Sequence, residues 1–484
     1  MEAARPFSVL EGDARETGAA DERRPLASRA APESMSSRRL FDAPRSVAET
    51  GLPLALLEEL ALKLLRTMDR PRLLDLADAM CLLPSVTQEI VESLSRRKLT
   101  EVDSADSPLK LHYRYSLTEA GKDMADEALR RCHYMGPAPV PVEQYSAAVL
   151  RQASERVRPN REQVRAALAH LVLPEETVDI VGQAYASGRP LMVYGPSGNG
   201  KSDIVLSVAG CIGGSVFIPY ALYGQGHIIE VFDAQVHRPV SLEAAEAGGL
   251  AQPERSDGTA GSNGAQTGSA SRRDARWREI RRPAIVVGGD MGPEALEMTF
   301  DTMRNVYKAP LSVRAQGGVL VIDDLGRQRV PIQTILNRWV QLMEQGYDSF
   351  SLQSSQVIRL PLDVTLVFST NLSIEELMDE AYLRRISYKI PVGNPTREQF
   401  LEITRRVCQQ KGVPYTEEAL QYLVQKLYDS GLFEPKGCYP RDIIQTIVDW
   451  ADYHGERARV DSFTIERACK LYLGERRGAL ARVA

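Results

Sequence analysis

The densest chemistry in the chain lies in one run of eight residues, Gly195-Pro196-Ser197-Gly198-Asn199-Gly200-Lys201-Ser202. It follows an apolar stretch, residues 190–194, and opens a segment of helical pattern, residues 203–209. Glycines at this spacing let successive backbone N–H groups turn inward around phosphate oxygens, while the helix that follows points its positive end at the same anion. Lys201 is placed to reach the β- and γ-phosphates of a nucleotide such as ATP, and the Ser202 hydroxyl to hold Mg2+. The spacing is strict because one loop must deliver all of these donors to one point. Downstream, residues 318–322 form a continuously apolar run that ends in Asp323 and Asp324. With a phosphate loop already present, Asp323 is the expected partner of Mg2+ and Asp324 the carboxylate that orients and deprotonates an attacking water.

These groups need a scaffold, and the apolar runs supply one. Residues 190–194, 318–322 and 364–370 read as buried parallel strands, and residues 215–221 as a second strand of the same sheet. Residues 332–345 read as a helix, and residues 349–352 with 356–360 as a β-hairpin. At 484 residues the chain is expected to hold more than one domain. A net charge of −5 argues against binding nucleic acid by bulk charge. Six dispersed cysteines without a CxxC pair and six histidines without HExxH point to neither a disulfide framework nor a zinc site. No apolar run is long enough to span a bilayer, so no membrane insertion and a cytoplasmic location are expected.

The boundaries follow composition. Residues 1–49 read as a disordered tail, 50–133 as a small α+β domain, 134–145 as a Pro-rich linker, 146–393 as an α/β core and 394–484 as helices, with 241–271 a flexible insertion. In the small domain, three helical patterns, two strand-like pieces and a last helix beginning near Thr118 resemble a winged helix-turn-helix. The third helix, followed by Arg96, Arg97 and Lys98, is the element that would approach DNA. However, it carries Glu89 and Glu92, and carboxylates slightly outnumber Lys plus Arg across residues 54–131. Basic residues that end a helix also complement its dipole. Docking to protein is therefore favoured over DNA.

Taken in order, the loop, the Asp323-Asp324 strand and the strand ending at Asn371 resemble the AAA+ ATPases, and a hairpin ahead of that last strand resembles the branch that holds MoxR-type, magnesium-chelatase and Holliday-junction motor proteins. The resemblance implies that Asn371 senses the γ-phosphate. It also implies that Arg385, with Arg384 as second candidate, is an arginine finger reaching a neighbouring subunit's nucleotide, and that residues 394–484 form an α-helical lid whose Arg441 contacts phosphate. Asp324 stands where most of these proteins carry Glu, which puts the rate of hydrolysis in question. Tyr223-Gly224 is either a pore-facing aromatic–glycine pair or an ordinary strand edge. The whole arrangement, with Gly288-Gly289-Asp290 and Asn337-Arg338-Trp339, resembles bacterial predicted ATPases with chaperone activity associated with Flp pilus assembly.

The expectation is an ATP-hydrolysing protein that remodels a protein partner, such as a pilus or secretion component. It would work as a homo-oligomeric ring, with a hexamer one size left open, and use the winged-helix-like domain as adaptor. The alternatives are a DNA-acting helicase-loader or regulator type ATPase and a nucleotide-gated scaffold with little turnover.

Overall fold

The computed structural model describes residues 40–104, 110–240, 273–374, 383–429 and 434–473. The tail as far as residue 39 and the insertion expected over 241–271 lie outside them. Leucines at helical spacing make α1 (Leu54–Thr67), and α2 (Leu73–Met80) and α3 (Pro84–Arg96) pack beside it. Pro84 occupies the first turn of α3, where its missing N–H is no loss. The antiparallel pair β1 (Thr100–Ser104) and β2 (Arg114–Leu117) follows, then α4 (Glu119–Arg131). The Thr118 hydroxyl caps α4 by accepting from Gly121 N at 3.1 Å. A Cβ on Gly121 would stand 2.0 Å from Leu99 O, so only glycine lets α4 lie this close to the chain entering β1.

This small domain is not hung on a free linker. Residues 134–141 are extended, as their prolines predict, but Tyr134, Ala138 and Val140 are buried. Ala138 N donates to Met80 O at 2.8 Å, and His133 N to Arg304 O at 2.8 Å. Residues 140–141 form β3 (Val140–Pro141), which leads directly into α5 (Val142–Ser154). The end of the expected tail is also packed: the Phe41 ring lies 4.8 Å from Phe217 and 5.3 Å from Trp277.

The chain continues through α6 (Arg161–Leu168), α7 (Glu175–Ser187), β4 (Leu191–Tyr194), α8 (Lys201–Ala209), β5 (Ser215–Pro219), β6 (Ala221–Gly224), β7 (His227–Glu230), β8 (Trp277–Arg281) and β9 (Ala284–Val287). Then come β10 (Thr299–Asp301), β11 (Val306–Lys308), α9 (Leu311–Arg314), β12 (Val319–Ile322), α10 (Ile332–Gln345), the hairpin β13 (Tyr347–Ser351) and β14 (Val357–Pro361), β15 (Thr365–Thr370) and β16 (Tyr388–Pro391). The central sheet has the order β16-β4-β15-β12-β9, and every pair in it is parallel. Side chains alternate between its two faces. Leu191 and Val193 meet α6, α7 and α8 on one, while Met192, Leu320 and Phe368 meet Ile335, Leu336 and Trp339 of α10 on the other.

The strand expected over 215–221 does not belong to this sheet. Residues 215–219 pair antiparallel with β8, and β9 takes the edge place beside β12. The segment 215–219 is apolar enough for a strand, but composition does not name its partner. A separate mixed sheet, β10-β11-β7-β6-β3, carries the small domain. Ala221, Ile228 and Val306 of this sheet share one core with Leu57, Leu73 and Ile90. Tyr223-Gly224 is part of β6, an interior strand of that sheet, and a Cβ on Gly224 would meet Val142 Cγ2 at 2.7 Å, so the pore-facing reading does not hold.

The last helices, α11 (Arg397–Gln410), α12 (Glu417–Val424), α13 (Cys438–His454) and α14 (Ser462–Leu473), pack around their own core of Phe400, Leu420, Ile443, Ile444 and Ile465. Among the described residues no helix is long and apolar enough to cross a membrane.

Candidate phosphate site

The eight-residue loop joins β4 to α8 at the carboxyl end of the central sheet. β4 lies between β16 and β15, both of which come later in the chain, and a crevice at such a switch point is where open α/β sheets bind ligands. Gly195, Gly198 and Gly200 all have positive φ. At Gly198 (φ +85) a Cβ would stand 2.7 Å from Cys438 Sγ, so the conformation and the close approach of Cys438 both require glycine.

Lys201 is buried, and its Nζ donates to Pro196 O at 2.8 Å and to Asn371 Oδ1 at 2.6 Å. The Asn371 amide then donates through Nδ2 to Asp324 Oδ1 at 2.6 Å. Beside this chain, Ser202 Oγ donates to Asp323 Oδ1 at 2.9 Å, and Asp324 N donates to the same oxygen at 3.1 Å. Loop lysine, strand-tip asparagine and both carboxylates therefore meet at the tips of three adjacent strands, β4, β15 and β12. Burial pushes the Lys201 amine below its ordinary pKa, against the pull of Asp324 and then Asp323, while the Lys436 charge adds to the lowering.

Asp324 has a left-handed backbone, φ +51. Asp and Asn tolerate that region better than longer side chains, which gives a local reason for Asp at this position. The side chain of Gln328, which the sequence did not single out for a role here, fixes the turn. Its Nε2 donates to Asp323 O at 2.8 Å and Asp324 O at 3.2 Å, and its Oε1 accepts from Gly326 N at 2.9 Å.

The C-terminal helical unit reaches the loop through groups that periodicity could not flag. Cys438 N donates to Gly198 O at 2.8 Å, Gly437 N to Asn199 Oδ1 at 2.9 Å, and Asn199 Nδ2 to Asn394 Oδ1 at 2.9 Å. Arg441 is not brought to the loop in this conformation. Its Nε donates to Asp442 Oδ1 at 3.1 Å, a bond that raises its pKa, and most of the side chain is exposed.

The two finger candidates lie beyond the opposite end of the sheet. β16 runs parallel to β4, Tyr388 beside Leu191 and Pro391 beside Tyr194, so Arg384 and Arg385 precede the strand end farthest from the loop. The length of the four-residue strand, at ~3.3 Å per residue, puts them at least ~10 Å from the 195–202 loop of their own chain. Arg385 pairs with Glu344 at 2.5 Å, whereas Arg384 is exposed.

These features define the chain as an α/β fold with a glycine-rich loop at the carboxyl end of a parallel sheet, the place where such sheets bind ligands. A family described as a domain of unknown function (DUF8689) matches residues 396–471, the span from the start of α11 into α14. None of the curated proteins matches the chain. Among solved structures, it is similar to NtrX from Brucella abortus in complex with ATP, at 14% identity and TM-score 0.34 over 60% of this chain and 54% of that one. It is also similar to the Thermotoga maritima RuvB Holliday junction branch migration motor, at 14% identity and TM-score 0.32 over 65% of this chain and 70% of that one. The chain thus spans about half the length of the NtrX chain it matches. Likeness at this level does not define the site, which stands on the chain's own geometry.

Proposed function

We propose that the protein is an ATP-binding and ATP-hydrolysing member of the AAA+ class, acting on a protein partner as a homo-oligomeric ring. The observation that carries the reading is the joined set Lys201–Asn371–Asp324 and Ser202–Asp323 around the loop mouth. Backbone N–H groups of the loop and of the first turn of α8 hold the phosphates. Lys201 exchanges Pro196 O and Asn371 Oδ1 for phosphate oxygens. Asn371, relieved of the ammonium, and Asp324 then face the γ-phosphate together, and Asp324 accepts the proton of the attacking water.

Ser202 and Asp323 fit Mg2+: their oxygens are hard donors held together at 2.9 Å, and a magnesium held largely by substrate phosphates needs only one or two protein ligands. The ion would neutralise charge building on the β- and γ-phosphate oxygens.

A finger has to act across a subunit boundary, because both arginine candidates sit far from their own loop. Exposure favours Arg384 over the Glu344-bound Arg385 as that finger. The client is read as a protein, in keeping with the pilus-assembly resemblance, and the cytoplasm as the place of action. For the small domain, protein is favoured over duplex DNA by two contacts. Glu89 on α3 accepts from Val47 N at 3.2 Å, which holds the chain at Val47 against that helix, and Arg97 is spent on the buried Glu58.

The test is Lys201→Ala in the full chain. Tight ATP binding by calorimetry is expected to vanish while the circular dichroism spectrum is kept. Unchanged ATP affinity would overturn the assignment of the loop.

A further inference from the structure

We propose that Lys436, just ahead of the lid helix α13, is a second cation of the phosphate site and makes it prefer a nucleoside triphosphate to the diphosphate. The inference rests on reading residues 195–202 as the phosphate loop. Residues 436–438 are docked on that loop through their own backbone N–H groups. Cys438 N is bound to Gly198 O at 2.8 Å, and Gly437 N to Asn199 Oδ1 at 2.9 Å. This fixes the start of the Lys436 side chain over the rim of the loop, with Nζ 3.5 Å from Ser197 Oγ.

The surroundings of the two lysines differ. Lys201 Nζ already has the Asn371–Asp324 chain on its inner side and Pro196 O, one residue from Ser197, on its outer side. Lys436 forms no ion pair among the described residues. Burial is the main cause of the lowered Lys201 pKa, and the Lys436 charge adds a smaller push in the same direction. Two ammonium groups held about one loop repel each other, and an anion placed between them removes the repulsion.

Position along the loop indicates which part of the anion Lys436 meets. The N–H groups that open α8 serve the inner phosphates, and the loop lysine reaches the β- and γ-groups. Ser197 lies on the outer side, next to the carbonyl that Lys201 holds, so Lys436 faces the terminal phosphate. A nucleotide without the γ-phosphate has no group there. Arg441, the lid arginine expected at the phosphate, is engaged with Asp442 and lies one turn further along α13. The lid then reads the terminal phosphate through the lysine that precedes α13, before Arg441 leaves Asp442.

The test is calorimetry on the full chain with a non-hydrolysable ATP analogue and with ADP, for the wild type and for Lys436→Ala, Lys436→Arg and Lys201→Ala. Lys436→Ala is expected to weaken the analogue about ten- to a hundredfold, the value of one charge-assisted hydrogen bond, and to leave ADP within about twofold. Lys436→Arg should keep most of the preference. An unchanged melting temperature without nucleotide confirms that Lys436→Ala folds. If Lys436→Ala weakens both ligands equally, or neither, the role of Lys436 is overturned. If Lys201→Ala leaves both affinities intact, the phosphate loop itself is misassigned, which is a separate failure.

Discussion

Replacing Asp324 by Asn tests the chemistry of the site with little disturbance of its shape. The backbone there has φ +51, which Asn tolerates as readily as Asp, whereas Ala would add about 1–2 kcal/mol of left-handed strain. Asn can still accept the 2.6 Å bond from Asn371 Nδ2 through its own carbonyl oxygen, so the link to Lys201 survives. What is lost is the basicity of one oxygen. Removal of a positioned general base typically costs about 10² to 10⁴ in rate, or roughly 2.7–5.5 kcal/mol of barrier. Ser202, Asp323 and the loop N–H groups are untouched, so ATP affinity should stay within about threefold or rise slightly, one negative charge having left the phosphate's neighbourhood. Phosphate release at saturating ATP, read alongside calorimetric ATP binding, separates the two effects. Turnover within about threefold of wild type, with ATP still bound, would refute Asp324 as the base. Loss of ATP binding would refute the argument that the site keeps its shape.

Two further perturbations follow from the same geometry. Turnover per subunit should rise with protein concentration, and Arg384→Ala should abolish that rise with ATP affinity kept, while Arg385→Ala, bound as it is to Glu344, should have the smaller effect; a finger supplied in trans is worth about 10³ to 10⁵, so a concentration-independent rate would remove the ring reading. Arg276 is buried and bonds Asp274 at 2.8 Å, Thr50 O at 3.1 Å, Pro139 O at 3.4 Å and Gln144 Oε1 at 3.3 Å, so Arg276→Ala should cost about 3–5 kcal/mol by denaturant unfolding, and adding Asp274→Ala should recover part of it because no unpaired buried charge then remains.

The loop, the Asp323-Asp324 strand and the Asn371 strand were legible because each is a short local pattern whose chemistry fixes its spacing. The β13–β14 hairpin and α10 were legible because alternation and helical spacing report which side of an element is buried. Neither signal reports against what it is buried. Residues 215–219 therefore looked like a sheet strand and are one, but in the ladder with β8, while the shorter 284–287 run holds the place beside β12. The prolines of 134–141 correctly gave an extended chain, yet Val140 is buried because β6 lies alongside it. Phe41 finds its partners at Phe217 and Trp277, and Lys436 finds Ser197, across more than 170 residues of chain in each case. No local pattern encodes such pairings.

Those long-range contacts also determine which part can move. The small domain shares a continuous core with the mixed sheet through Ala221, Ile228 and Val306, and Arg276 joins residue 50, the 134–141 segment, α5 and β8 at a buried point. Displacing that domain would expose a core and an ion pair together. The C-terminal helical unit, read above as a lid, instead has its own core and, among the described residues, meets the rest of the chain through polar contacts such as 436–438 on the loop, Asn394 on Asn199, and Arg406 Nη1 on Ala169 O at 2.8 Å. Exchanging such bonds for bonds to phosphate costs little, since each is worth about 1 kcal/mol net. Nucleotide should therefore change the angle of the lid and leave the small domain fixed to the core, as expected of hinge motion about a few terminal residues. Distance measurements between probes at Ser146 and Tyr453, and between probes at Ser146 and Lys122, test this with and without a non-hydrolysable ATP analogue. The first distance should shift and the second should not. A shift confined to the second would mean that the buried clasp at Arg276 opens when nucleotide binds, and the small domain would then be the moving part.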